Sequence, residues 1–82
     1  MTFLFCIGQF QQNKIYHAWI EFQDKDYCFD TTLQAFYQKE KYYEYRKIKK
    51  LYTRKVNEII FLAIKYELFG LYPEDYEILD SL

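Results

Sequence analysis

The chain has 82 residues, a formal net charge of −1, 51% hydrophobic residues and 23% aromatic ones, which fits one small domain (1–82) with a modest core. No segment approaches the roughly 20 apolar residues of a membrane span, and the N-terminus lacks the charged region, apolar run and cleavage site of a signal peptide, so a soluble cytoplasmic protein is expected. Two cysteines without CxxC spacing and a single histidine offer neither a zinc set nor a secreted disulfide framework, so free thiols and no metal or cofactor are expected.

The opening "MTFLFCIGQF" is apolar on both strand faces and predicts a buried strand over about 2–9, bounded by Gly8 and the polar turn "QQNK". "IYHAWIEF" follows as a strand over 15–22. Ile15, His17, Trp19 and Glu21 share one face of it, and Tyr16, Ala18, Ile20 and Phe22 share the other, apolar one. "QDKD" supplies a hairpin turn and "DYCFD" a third strand with Asp26, Cys28 and Asp30 on one face.

The loop length sets the register. A two-residue loop at Asp24 and Lys25 pairs Glu21 with Cys28 and leaves His17 diagonal to Asp30 on the same face, whereas a three-residue loop separates them. Diagonal neighbours lie about 7–8 Å apart, close enough for imidazole and carboxylate to hydrogen-bond if both lean inward.

Residues 33–45, "LQAFYQKEKYYEY", contain no breaker and suit a short helix, although the apolar spacing is irregular. Thr53 is the expected N-cap of a long helix in which Val56, Ile59, Ile60, Ala63, Ile64, Leu68 and Phe69 recur at helical spacing until Gly70 and Pro73 end it. On periodicity alone "YRKIKKLY" before it reads either as a strand or as the start of that helix. Pro73, Glu74 and Asp75 can open a final short helix. The expected class is therefore α+β, with a small antiparallel sheet of three to four strands packed against one long C-terminal helix.

A cysteine nucleophile needs a histidine within hydrogen-bond reach and a carboxylate or amide that orients the imidazole. His-Ala-Trp-x-Glu followed by Phe-Asp-Thr-Thr resembles the His and Asp segments of the transglutaminase-like branch of the papain-like cysteine enzymes. The likeness extends through "GQF", "YCFDTTLQAF", "EKYYEY" and "KKLYTRKVNEIIFLAIK", from residue 8 to about 70. It implies that His17 corresponds to the family's catalytic histidine and Asp30 to its orienting aspartate, that "YRKIKKLY" is a strand, and that the whole is a truncated papain-like (transglutaminase-like) core. In that family the cysteine stands at a helix N-terminus well upstream of the histidine strand, and only sixteen residues precede His17. The activity does not carry over.

Of the two cysteines present, Cys28 is four residues along from His17 and out of reach. A turn at Gln12 and Asn13 would set Cys6 opposite Trp19 and diagonal to His17, making a Cys6, His17, Asp30 row. A strand centre, however, supplies neither helix dipole nor oxyanion donors. The plainer readings are a buried structural Cys6, a satisfied His17–Asp30 pair and a packed Trp19. His17, Asp26 and Asp30 would be an accidental metal set.

The stretch "RKIKKLYTRK" carries six of the 11 basic residues, while "PEDYEILDSL" has four acids and no base. Arg46, Lys47, Lys49, Lys50, Arg54 and Lys55, beside Tyr42, Tyr43, Tyr45 and Tyr52, suggest a partner surface able to bind phosphates and stack bases.

Three functions follow. The first is a non-enzymatic protein-binding or inhibitory protein on the truncated scaffold, of a size and aromatic content that suit a viral or mobile-element inhibitor of a host defence complex, anti-CRISPR-like, with oligomerisation supporting a small core. The second is a cysteine-dependent acyl-transfer enzyme using Cys6 or a cysteine from a second chain. The third is a nucleic-acid-binding module using residues 46–55.

Overall fold

The computed structural model describes residues 3–68 and 70–81; Thr2 and Phe69, expected in the first strand and the long helix, lie outside them. The fold is α+β. Strands β1 (Phe3–Phe10), β2 (Tyr16–Phe22), β3 (Tyr27–Asp30), β4 (Ala35–Gln38) and β5 (Ile48–Lys55) form one five-stranded antiparallel sheet in the order β4-β3-β2-β1-β5. Helix α1 (Lys39–Arg46) lies between β4 and β5, and α2 (Val56–Tyr66) and α3 (Pro73–Asp80) follow.

The hairpin registers agree with the sequence reading. Cys6 pairs with Trp19 and Gly8 with His17 across β1 and β2, and Glu21 pairs with Cys28 across β2 and β3. The loop between β1 and β2 closes with Phe10 N–H on the Ile15 carbonyl at 2.9 Å.

The C-terminal half departs from expectation. Five strands replace three to four, and the eleven-residue α2 replaces the long helix expected from Thr53 to Gly70. Residues 33–45, expected as a helix, divide into β4 and α1, because Phe36 and Tyr37 alternate across the sheet and pair with Phe29 and Cys28. Thr53 is not a helix cap: it sits within β5 opposite Cys6, and Lys55 caps α2. The outer edge of β1 needs hydrogen-bond partners, and a strand running to Lys55 satisfies them where an early helix would not. The helix also stops sooner than Gly70, since Glu67 takes a left-handed conformation (φ 57°) at its C-cap. Pro73 opens α3 as expected, with the Asp75 carboxylate accepting Tyr72 N–H at 2.8 Å.

Both faces of the sheet are packed. On one, Phe5, Ile7 and Ala18 meet Ile59 and Leu62 of α2, Leu79 of α3 and Tyr72, the N-cap of α3. On the other, Cys6, Trp19 and Cys28 meet Tyr42 of α1 and Ile48. The strands β1 and β5 shift register between Ile7 and Gly8, where Leu51 is the extra residue of a bulge. Gly8 lies against this bulge beneath the indole of Trp19. A Cβ there would stand 2.4 Å from the Lys49 carbonyl oxygen and 2.7 Å from Trp19 Cη2. Gly8→Ala is therefore expected to destabilise the fold by about 1–3 kcal/mol through overpacking, read as a lower urea midpoint with an unchanged m-value.

Candidate functional site

Asp30 ends β3 with its carboxylate fully buried. Its Oδ1 accepts the backbone N–H groups of Thr32 and Leu33, each at 2.9 Å. Its Oδ2 accepts the Tyr42 hydroxyl at 2.7 Å and stands 2.9 Å from His17 Nε2. An ionised carboxylate only accepts, so the bond to His17 requires the proton on Nε2. The first two bonds form an Asx turn made by "DTTL", which lets the chain reverse after β3. Burial by itself pushes the Asp30 carboxyl upward, but the Leu33 N–H, the Tyr42 hydroxyl and His17 together outweigh it and hold the group below its ordinary value. Tyr42 shifts upward, first because it is desolvated and then because its neutral hydroxyl is the form that donates to Asp30.

The imidazole of His17 is clamped as well as bonded. Phe10 stacks on one side with centroids 5.0 Å apart, and Trp19 lies near-parallel at 6.3 Å. Trp19 donates Nε1–H to Glu21 Oε2 at 3.1 Å, and Lys50 Nζ meets Glu21 Oε1 at 3.0 Å. The benzo edge of the indole extends over Gly8, across the diagonal that joins Cys6 to His17 in the β1–β2 ladder.

His17 and Asp30 are thus brought together, and Cys6 shares their face of the sheet. Its thiol is fully buried and faces the Leu4 carbonyl at 3.9 Å. Burial, then the Glu21 charge, pushes it up to about 12. Cys28, also buried, is pushed up to about 11 by burial and by the charges of Glu21 and Asp30. Both thiols are free and essentially all protonated at neutral pH, a state that is neither nucleophilic nor metal-binding. Asp26 is held by Gln38 Nε2 at 2.9 Å at the other end of β3, and no group of three metal ligands gathers among the described residues.

The basic stretch does not form one surface. Arg46 lies over the Phe10 ring at 4.9 Å. Lys47 is the left-handed C-cap of α1, and Lys49 and Lys55 are exposed. Lys50 turns to Glu21 and to the Tyr43 ring, whose centroid is 5.8 Å away. Arg54 points to the other face, where its Nη2 meets the buried Asp75 at 2.7 Å. Tyr42 is buried on Asp30, and Tyr43 packs edge-on against Trp19. Alternation along β5, together with the bulge at Leu51 that puts Lys50 and Arg54 on opposite faces, separates the cations, so a run of basic residues in the sequence is not a stripe in space.

Two features escaped the sequence reading. One is Tyr42 as a partner of Asp30. The other is a second buried carboxylate, Asp75, which accepts Arg54 Nε at 3.1 Å, Arg54 Nη2 and the Tyr52 hydroxyl. The Asx signal in "DTTL" marks Asp30 as an internal acceptor, but nothing local joins Arg54 to a residue on α3.

Two measurements check this geometry. Since the Asp30 carboxyl is lower in the folded chain than its ordinary 3.8, its stabilisation is complete above that value and is lost as pH falls through the folded value. Asp30→Asn should cost about 1.5–3 kcal/mol at pH 7 and flatten the acid limb of stability below pH ~4, followed by urea titration. Iodoacetamide should label Cys6 and Cys28 slowly in the native protein and rapidly in urea, with His17→Ala leaving the native Cys6 rate no lower.

No helix among the described residues is long and apolar enough to cross a membrane. No family model, curated protein or solved structure matches the chain.

Proposed function

We propose that the protein is a non-catalytic, inhibitory protein-binding module that works in the cytoplasm by surface complementarity, as a viral or mobile-element inhibitor of a larger host defence complex would. The observation that carries this reading is the uncovered half of the sheet. Helices α2 and α3 pack over β1 and the inner strands, whereas Phe22, Tyr27, Phe29 and Phe36 form an interlocking aromatic cluster beyond them, with centroid separations of 4.8–6.1 Å. Phe36 is 62% exposed. This cluster flanks β4, the last strand of the sheet, and a groove of about 380 Å³ lined by Tyr27, Phe36, Tyr37 and Gln38 runs along that edge.

A short free edge with aromatic side chains beside it suits an extended segment of another protein, which adds as a sixth strand and sets apolar side chains against Phe36 and Tyr27. Contiguous exposed apolar surface of this kind marks interaction sites. We read the scaffold as a transglutaminase-like core in which His17 and Asp30 keep an architectural role. Support comes from their mutual hydrogen bond and from the protonated, enclosed Cys6.

Capture from host lysate with a photo-crosslinker at Gln38 tests the reading. Wild type and Cys6→Ser should crosslink the same chain, and Phe36→Asp, with an unchanged circular dichroism spectrum, should lose about tenfold in capture, equivalent to about 1.4 kcal/mol. Undiminished capture by Phe36→Asp sinks it.

A further inference from the structure

Helix α2 buries only one side. Ile59 and Leu62 enter the core, yet Ile60, Phe61 and Ile64 form an exposed seam at three- and four-residue spacing, and Leu68 just past the C-cap is exposed too, the four being 48–74% exposed. We propose that this seam joins two copies of the chain as an antiparallel helix pair, which makes the protein a homodimer whose β4 edges remain free. The inference goes beyond the reading above and does not depend on it.

Charge selects a second copy as the occupant, and selects its direction. Glu58 and Lys65 lie seven residues apart, two turns, and therefore on the same flank of the seam. In an antiparallel pair like flanks meet. A two-fold axis passing between Phe61 and Leu62 sets Glu58 of each copy beside Lys65 of the other, giving two symmetric ion pairs, while a parallel pair brings together opposite flanks and forfeits both. Within one chain the ion pairs of these two groups are long, Glu58 with Arg54 at 3.8 Å and Lys65 with Glu74 at 3.7 Å; Glu58 also accepts Lys55 N–H at 3.4 Å and Lys65 lies over the Tyr66 ring at 5.1 Å, and both side chains stay about half exposed.

Area agrees with this choice. The four seam residues expose roughly 500 Å² per copy, at the upper end of what a monomer ordinarily leaves in water. Two copies together would remove roughly 1,000 Å², where specific interfaces begin. The seam continues into a groove in which Phe3, Leu4, Val56 and Ile60 are joined by Gln23, Lys55 and Asn57, which adds mixed apolar and polar surface at the margin.

Sedimentation velocity of the full chain over a concentration series is the first test. We expect a dimer at tens of micromolar that dissociates in Ile64→Glu, a substitution at an exposed position that leaves the circular dichroism spectrum intact. Glu58→Lys and Lys65→Glu should each weaken the dimer about tenfold, and the double exchange should restore it to within about threefold of wild type. Under mild oxidation Phe61→Cys, beside the axis, should crosslink to itself. Asn57→Cys should not, because its counterpart lies roughly 13 Å along the pair at 1.5 Å per residue; in a parallel pair it would. A monomer at all concentrations, a dimer indifferent to Ile64→Glu, or self-crosslinking of Asn57→Cys overturns the proposal. Loss of the dimer in Ile64→Glu with lysate capture retained separates this surface from the β4 edge.

Discussion

A carboxylate withdrawn from water is tolerated in a fold only when its lone pairs are filled, and the enclosed carboxylate of Asp30 meets that condition with four donors drawn from three places in the chain. The turn after β3 gives two backbone N–H groups, β2 gives His17 and α1 gives Tyr42. Each contact fixes something different. The turn donors end β3 and direct the chain toward β4, the imidazole locks the second and third strands side by side, and the phenol anchors α1 across the sheet. The aromatic layer around them, with Phe10, Trp19 and Tyr43, excludes the water that would compete for those bonds.

The opposite face repeats the solution with other residues. Asp75 caps α3 through Tyr72 N–H and at the same time receives Arg54 and Tyr52 from β5. The two layers of helix are thus each tied to the sheet by one buried acid, placed where packing alone would leave a small domain marginal. Buried ionic groups of this type add geometric specificity more dependably than net stability. Glu21 is a third instance in miniature, bridging Trp19 and Lys50 across β1.

Much of the first half of this architecture is written locally. The alternation in "IYHAWIEF", the turn residues of "QDKD" and the matching face of "DYCFD" fix the register that brings His17 to Asp30, because each is a period-two or turn signal that acts between neighbours in sequence. The later half depends on partners far along the chain. Thr53 has the chemistry of a helix cap, yet the unpaired edge of β1 takes it into a strand. "LQAFYQKEKYYEY" has no breaker, yet β3 draws its first residues into the sheet. Lys50 and Arg54 look alike in a basic run and end on opposite faces, beside acids 29 and 21 residues away. Which residues meet Asp30 was half legible, since His17 stands on the paired strand and Tyr42 comes from a helix whose placement no local pattern specifies.

The bulge at Leu51 acts on the rest of β5 as an inserted letter acts on a reading frame. Upstream of it, Lys50 shares the Trp19 face; downstream, Tyr52 and Arg54 share the face of Phe5 and Ile7. Continuous pairing would instead hand Tyr52 to Cys6 and Arg54 to Leu4, reversing the parity of every residue to the end of the strand. The guanidinium would then be stranded among apolar neighbours, and Asp75 would lose the side chains that fasten the last helix. One superfluous residue in an edge strand thus decides on which side of the protein its C-terminus is moored.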